Sequence, residues 1–296
     1  MKRQSVIPLS IVVIVAMVVG IIVLSKSNTS DDVIHLGATF PLTGEVASYG
    51  QSAKHGIELA LFEVNEAGGI LGKTVEIDFQ DDRNENREAV SIMTKFATVD
   101  HVPVVFGSAG STVSLAIAPI ANENGVIQIS PISSSVELST EGGPYFFRTC
   151  PADDLQAEIL ANWLLELGLM NVAVVYTNNS WGQPLAGGFA DVFEAGGGTI
   201  LLEEGITEGT TDTRGVLTRI SNLDEVEAIV SPTYPHEGAT LVRQATELSL
   251  DLPMFGGDNW GSPEFRTAAG TAANGVFYTA PVEMDSPVHT EFADAF

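Results

Sequence analysis

The sequence predicts an α/β protein built from two Rossmann-like lobes of parallel β/α units, joined by a hinge and separated by a cleft. Three observations carry this reading. Apolar strand patterns alternate with helix patterns along almost all of the chain beyond residue 32. The alternation breaks after Tyr145-Phe146-Phe147-Arg148 and then restarts. Third, Val104-Val105-Phe106 and Ile127-Gln128-Ile129 are consecutive strands that both run into small hydroxyl residues, with a helix pattern between them. Such a unit delivers serines and free backbone N–H groups to the C-terminal sheet edge, where open parallel sheets bind small ligands. A single large sheet would also produce the alternation, and the restart favours two.

Residues 1–32 precede the first lobe. Met1-Lys2-Arg3 leads into the apolar run Val6 to Leu24, interrupted by Pro8, Ser10 and Gly20, and a polar Ser/Asn/Thr stretch follows. Basic, then apolar, then polar is the order of an export signal or of a single membrane anchor. The run is long for a signal core and just long enough to cross a bilayer. No small-x-small cleavage site follows it and no cysteine is there to take a lipid, so the pattern leans toward an uncleaved anchor. On either reading the folded part is extracytoplasmic and this segment makes the membrane contact.

The first lobe is expected over 33–150. A strand at 33–39 ends at Phe40-Pro41-Leu42-Thr43-Gly44, and a helix at 48–65 stops at Ala67-Gly68-Gly69, where glycines serve as cap and turn. A strand at 74–80, a helix at 87–99, a strand at 102–106, the helix at 111–124 and a strand at 126–129 complete the set. The second lobe is expected over 151–281, after a crossing near 149–153. Its helices are read at 155–167, 184–195, 213–223 and 237–248, and its strands at 172–176, 200–204, 228–230 and 254–256. A last strand at 275–281 leaves the second lobe. A helix start at 286–296 then returns to the first lobe, with little left to pack against, so the chain reads as a fragment truncated at its C-terminus.

Charge narrows the function. With 13 Lys+Arg against 38 Asp+Glu the formal net charge is −25, and only Lys54, Lys73 and Lys95 are lysines beyond residue 30. That field repels nucleic acid and anionic membrane surfaces. A surface so acidic suits a salty medium, although any acidic soluble protein shares it. An anion can bind only through local donors, whereas a cation or zwitterion is tolerated. The single cysteine, Cys150, forms no internal disulfide and has no histidine near it in sequence, which favours a buried thiol over a nucleophile.

Enzyme readings fare poorly. No Gly-x-Gly-x-x-Gly follows the first strand, and Gly107-Ser108-Ala109-Gly110-Ser111-Thr112 has neither the lysine of a P-loop nor the spacing of a nucleophile elbow. His35, His55, His101, His236 and His289 are scattered without metal spacing. Asp81-Asp82 with Glu85 and Glu88 lacks an EF-hand glycine and reads as a solvated loop and helix start. No cofactor, metal or catalytic residue is expected.

Taken together, Phe40-Pro41-Leu42-Thr43-Gly44 with Tyr49-Gly50, Val64-Asn65-Glu66-Ala67-Gly68-Gly69-Ile70, Asp81-Asp82, Gly107 to Thr112, Ser130-Pro131 with Glu137-Leu138, and Arg148-Thr149 form an ordered series. Trp181-Gly182, Tyr234-Pro235-His236-Glu237, Arg243-Gln244-Ala245 and Phe255-Gly256-Gly257-Asp258 continue it. In this order, from residue 33 to the end, the chain resembles the extracytoplasmic solute-binding proteins of branched-chain amino-acid ABC transporters, the leucine/isoleucine/valine-binding type with the type I periplasmic binding fold. The resemblance implies three crossings between lobes. The first two fall near 149–153 and 280–281, and the third lies beyond the chain.

It also implies a site. Ser111 and Ser134 match the hydroxyl residues that, with backbone N–H groups, hold the ligand α-carboxylate, and Thr112 stands beside Ser111. The Ile132 carbonyl would face the α-ammonium and Asp258 would pair with it, on a shorter arm than the glutamate that a family member carries there. Tyr49, Trp181 and Tyr234 match aromatic lining positions. Read without the resemblance, Ser111 is equally an N-cap, 133–135 a solvated loop, Asp258 the start of a turn and Trp181 a core residue. The implied partners are a small amino acid and an ABC transporter permease. A receptor's ligand-sensing domain and a binder of amides or urea are the alternatives.

Overall fold

The computed structural model of the protein describes residues 32–281 together with 290 and 293. Its first half holds strands β1 (Val33–Phe40), β2 (Thr74–Asp81), β3 (Val104–Gly107), β4 (Ile127–Ser130) and β5 (Phe146–Arg148), with helices α1 (Ala47–Glu66), α2 (Asn86–Thr98), α3 (Ser111–Asn124) and α4 (Leu138–Glu141) between them. The second half runs α5 (Asp153–Glu166), β6 (Asn171–Thr177), α6 (Gly182–Ala195), β7 (Thr199–Ile206), α7 (Arg214–Ser221), β8 (Ala228–Ser231), α8 (Pro235–Glu247) and β9 (Met254–Gly256). A 3-10 turn at Asp258–Gly261, α9 (Pro263–Ala269), a second 3-10 turn at Gly270–Ala273 and β10 (Phe277–Tyr278) follow.

The strands form two separate five-stranded sheets, ordered β2-β1-β3-β4-β5 and β10-β9-β8-β6-β7. Every ladder in them is parallel. Two lobes, and not one large sheet, are therefore the architecture. β6, an inner strand of the second sheet, shows why its middle is apolar: Val172 and Val174 face the core under α5 and α6, with Leu164, Phe189 and Phe255. Ala173 and Val175 face the opposite core, with Leu217, Ile229 and Trp260. A strand buried on both faces has no polar side to display. In the first lobe Met93, Phe96, Val105 and Ile117 pack under α2 and α3. Ala38, Phe40 and Ala109 pack on the other face, with Tyr49, Phe79 and Ile132 partly buried beside them.

Several boundaries differ from the sequence reading for local reasons. β3 begins only after Pro103, which has no N–H for the ladder. α6 starts at Gly182, two residues early, because Asn179 Oδ1 accepts the N–H groups of Trp181 (3.0 Å) and Gly182 (2.9 Å). The strand expected at 275–281 shrinks to Phe277–Tyr278, since Gly275 has φ +86° and Pro281 cannot donate. α9 was not expected, although Ser262-Pro263 spells its start: Ser262 Oγ accepts from Phe265 N at 3.2 Å.

No helix among the described residues is long and apolar enough to cross a membrane. The run from Val6 to Leu24 lies outside them, as does the helix start at 286–296 apart from 290 and 293. Cys150 is free and half-buried. Burial pushes its thiol above the usual range, and its Sγ donates to the Ser133 carbonyl at 3.5 Å.

The acidic loop after β2 is not the solvated segment expected. Asp82 is fully buried and accepts from Thr39 Oγ1 (3.0 Å), Ser108 Oγ (2.7 Å) and Asn84 N (2.9 Å). Burial raises its pKa while these three bonds oppose the rise. Its neighbour Asp81 takes Leu42 N (2.8 Å) and Thr43 Oγ1 (2.6 Å). The pair thus ties the Pro-Leu-Thr-Gly turn and the loop after β3 to the ends of β1 and β2.

Candidate ligand-binding site

Between the lobes lies a cavity that opens to solvent. It is lined by Val46, Tyr49, Asn84, Ala109, Gly110, Ser111, Ile132, Ser134, Trp181, Tyr234, Asp258 and Asn259. Tyr49, Ser111, Ile132, Ser134, Trp181, Tyr234 and Asp258, seven of the eight residues singled out in the sequence, are thus brought together. Thr112 is not on this wall: its Oγ1 accepts from Ser180 N of the other lobe at 3.1 Å. The lobes are also joined by Tyr49 Oη donating to Asn259 Oδ1 (2.7 Å) and Asn84 Nδ2 donating to Glu208 Oε1 (3.3 Å).

The loop after β3 reaches the cavity because two glycines allow it. Gly107 has φ +130°, and a Cβ there would sit 2.0 Å from the Thr39 carbonyl oxygen. At Gly110 a Cβ would meet Asn84 Oδ1 at 2.0 Å. Gly110 is the residue before α3, with no side-chain cap, so Ser111 is the first helical residue and not the N-cap. The N–H groups of this first turn have no carbonyl of their own helix to bind, and the positive end of the helix dipole points with them.

Hydroxyl directions divide the cavity. Ser111, 2% exposed, accepts from Ser135 N at 3.2 Å, which leaves its own proton free to donate. Ser134 instead donates that proton to Asp153 Oδ2 at 3.0 Å. Only lone pairs remain for a ligand, so Ser134 fits a donor such as an ammonium and not the carboxylate assigned to it by resemblance. The flanking serines are not a solvated loop. Ser133 and Ser135 are fully buried, and Ser133 Oγ bridges the Ser108 and Ala109 carbonyls (both 3.0 Å) and Ser114 Oγ (2.8 Å).

Opposite the donors, Asp258 does begin a 3-10 turn and still faces the cavity. Its Oδ1 is enclosed without a hydrogen-bond partner among the described residues. Burial raises the Asp258 carboxyl above its ordinary range, and the nearby Gln156 amide opposes the rise. Among the described residues it is the only ionisable carboxylate on the wall, and no lysine or arginine among them stands there. Burial pushes the phenols of Tyr49 and Tyr234 above their usual values, aided by the charges of Asp258 and Glu208 respectively, so both stay neutral. Trp181 meets both of its readings: 4% exposed and packed in the core under α5 and α6, it stacks on Tyr234 (centroids 5.4 Å apart, 22° between planes) and lines the cavity.

Asn84, Asn259 and Val46 line the site without having been singled out. Asn84 and Asn259 each follow a strand end, at Asp81 and Gly256, and that position was their one signal in the sequence. Tyr49→Phe removes the 2.7 Å bond between the lobes. A neutral hydrogen bond is worth roughly 0.5–1.5 kcal/mol, so affinity for a ligand held in the cleft is expected to fall about three- to tenfold with little change in the melting temperature of the unliganded protein. Calorimetric titration beside a thermal melt checks this, and unchanged affinity would show that the bond does not support the closed cleft.

The model of the family described as periplasmic binding protein matches residues 33–296. The Leu/Ile/Val-binding protein BraC3 of Rhizobium johnstonii is 34% identical over 264 residues, covering 88% of this chain and 71% of that protein. Among solved structures, the branched-chain amino-acid transporter substrate-binding protein LivJ of Streptococcus pneumoniae, in complex with isoleucine, is 32% identical with a TM-score of 0.78. That alignment covers 89% of this chain and 76% of the other. The leucine-binding protein LivK of Thermotoga maritima is 27% identical with a TM-score of 0.80, over 88% and 74% of the two chains.

Proposed function

Because this chain belongs to the periplasmic binding protein family, and within it to the substrate-binding proteins of branched-chain amino-acid ABC transporters, we propose that its interlobe cavity captures a branched-chain or similar small amino acid for delivery to a membrane permease. The observation that carries this reading is the segregation of donors from acceptors. The Ser111 hydroxyl and the first-turn amides of α3 offer donors to a carboxylate without a fixed cation. Asp258 and the lone pairs of Ser134 offer acceptors to an ammonium, and Ile132 lines the same cavity. A zwitterion satisfies both ends at once. The aromatic wall of Trp181, Tyr234 and Tyr49 then receives an apolar side chain.

In this reading the lobes comprise 33–150 and 151–281. They close about the crossings near 149–153 and 280–281. The closed, loaded form is what the permease engages. The protein works outside the cytoplasm as its family does, exported or anchored by residues 6–24.

The test is a thermal-shift and calorimetric screen with L-leucine, L-isoleucine, L-valine, L-glutamate, acetamide and urea. The branched-chain zwitterions should raise the melting temperature in proportion to RT ln(1 + [L]/Kd). A response to acetamide or urea alone would replace the amino-acid reading with that of an amide binder.

A further inference from the structure

Behind Ser134 lies a second acid that the cavity wall does not reveal. Asp153 is the first residue of α5, just past the crossing, and is 5% exposed. It receives the Ser134 hydroxyl (3.0 Å), and its own N–H donates to the Ser134 carbonyl (3.0 Å). Asp153, Ser134, Gln156 and Asp258 line one chamber that adjoins the ligand cavity. In this region two buried acceptors, Asp258 Oδ1 and Gln156 Oε1, have no hydrogen-bond partner among the described residues. Two carboxylates and a serine lone pair therefore converge on one end of the site.

We propose that Asp153 is a positioning residue for the amino end of the ligand: it holds Ser134 as an acceptor and shares with Asp258 one proton that leaves when the ligand's ammonium enters. The proposal rests on the amino-acid reading above. Charge counting supports it. Arg148, which donates to the Ser134 and Ser135 carbonyls (3.0 and 2.7 Å), is the cation acting on Asp153. One cation before two buried carboxylates leaves one of them to be neutralised by a proton. An arriving ammonium supplies the second positive charge and the proton is released to solvent, so the pair is neutralised in both states.

The other titratable groups around the pair do not supply that proton. The Cys150 thiol and the Tyr49 phenol are both pushed upward, chiefly by burial, and remain neutral below pH 8. Asp154 and Glu264 are acids, the first acting on Asp153 and the second on Tyr49. Burial, followed by the charge of Asp258, raises Asp153 to about 7, with the Ser134 bond and Arg148 opposing. Titration then belongs to the pair as a whole. The sign follows: the ligand favours the fully ionised pair, so affinity is complete above the raised pKa and is lost as pH falls through it.

The experiment titrates the full chain with L-leucine in buffers of differing ionisation enthalpy, from about pH 5.5 to 8.5. About one proton should be released per leucine near pH 6, falling toward zero by pH 8.5, and Kd should rise toward about tenfold per unit as pH drops below 7. Asp153→Asn keeps an oxygen to accept from Ser134 and should flatten the profile, with leucine bound more weakly at pH 8 than by the parent. The desamino analogue 4-methylpentanoate should release no proton. Leucine binding with no proton release and a flat profile would overturn the proposal, as would equal release with the analogue. Absence of leucine binding at every pH would instead overturn the amino-acid reading on which it rests.

Discussion

Asp258→Asn is expected to weaken L-leucine binding about ten- to a hundredfold while leaving the melting temperature of the unliganded protein unchanged or slightly raised. A hydrogen bond to a charged group is worth roughly 1.5–3 kcal/mol, and that is the contact an ammonium loses when Asp258 loses its charge. The unliganded protein loses nothing comparable. Oδ1 has no partner among the described residues, and burial already holds the carboxyl away from its ordinary pKa. Removing a buried charge without a counter-ion relieves a desolvation cost. Calorimetry and a thermal melt on the same preparation separate the two effects. Parallel loss of affinity and stability would mean that Asp258 serves the fold and not a ligand.

Trp181→Ala should do the reverse and damage both. The ring belongs to the core formed with Leu185, Phe189 and Phe255, and it also stacks on Tyr234 at the cavity wall. Truncating a buried aromatic side chain costs about 3–5 kcal/mol. For a protein of this size that is a fall on the order of 10 °C in melting temperature. The wall loses its apolar surface in the same stroke, so leucine affinity should drop by more than tenfold at temperatures where the variant is still folded. A melting temperature within about 2 °C of the parent would show that the ring is not structural, since a cavity of that size cannot be left at so little cost.

The two variants differ because of where each residue gets its energy. Trp181 is stabilised by the protein core in which it packs. Asp258 is held in a place that burial makes unfavourable for its charge, and only a cation in the cleft would reward it. Sites commonly keep such groups, because a residue already satisfied by its own fold has little left to offer a ligand.

Much of this was legible in the chain. Ser111, Ser134 and Asp258 stand just beyond strand ends, and parallel β/α topology sends strand ends to one edge. Asp153 was read past because an acid in the first turn of a helix is ordinary; only packing buries it against Ser134 and under the charge of Asp258. Asp82 was misread for a similar reason. Its neighbours in sequence are polar, but its partners, Thr39 and Ser108, arrive from β1 and the loop after β3.

Resemblance to a known family, not periodicity, put Asp258 at the gap. By itself the order of residues determined the alternation of strands and helices, its restart after Arg148, and hence two lobes with Ser111 and Ser134 near a sheet edge. Those are consequences of periodicity and chain direction, which are local. Tertiary structure alone decided that Ser134 gives its proton to Asp153 while Ser111 keeps its own, and so which end of the cleft donates and which accepts. A hydroxyl can play either part, and its direction is set by whichever partner the fold carries to it across the intervening chain.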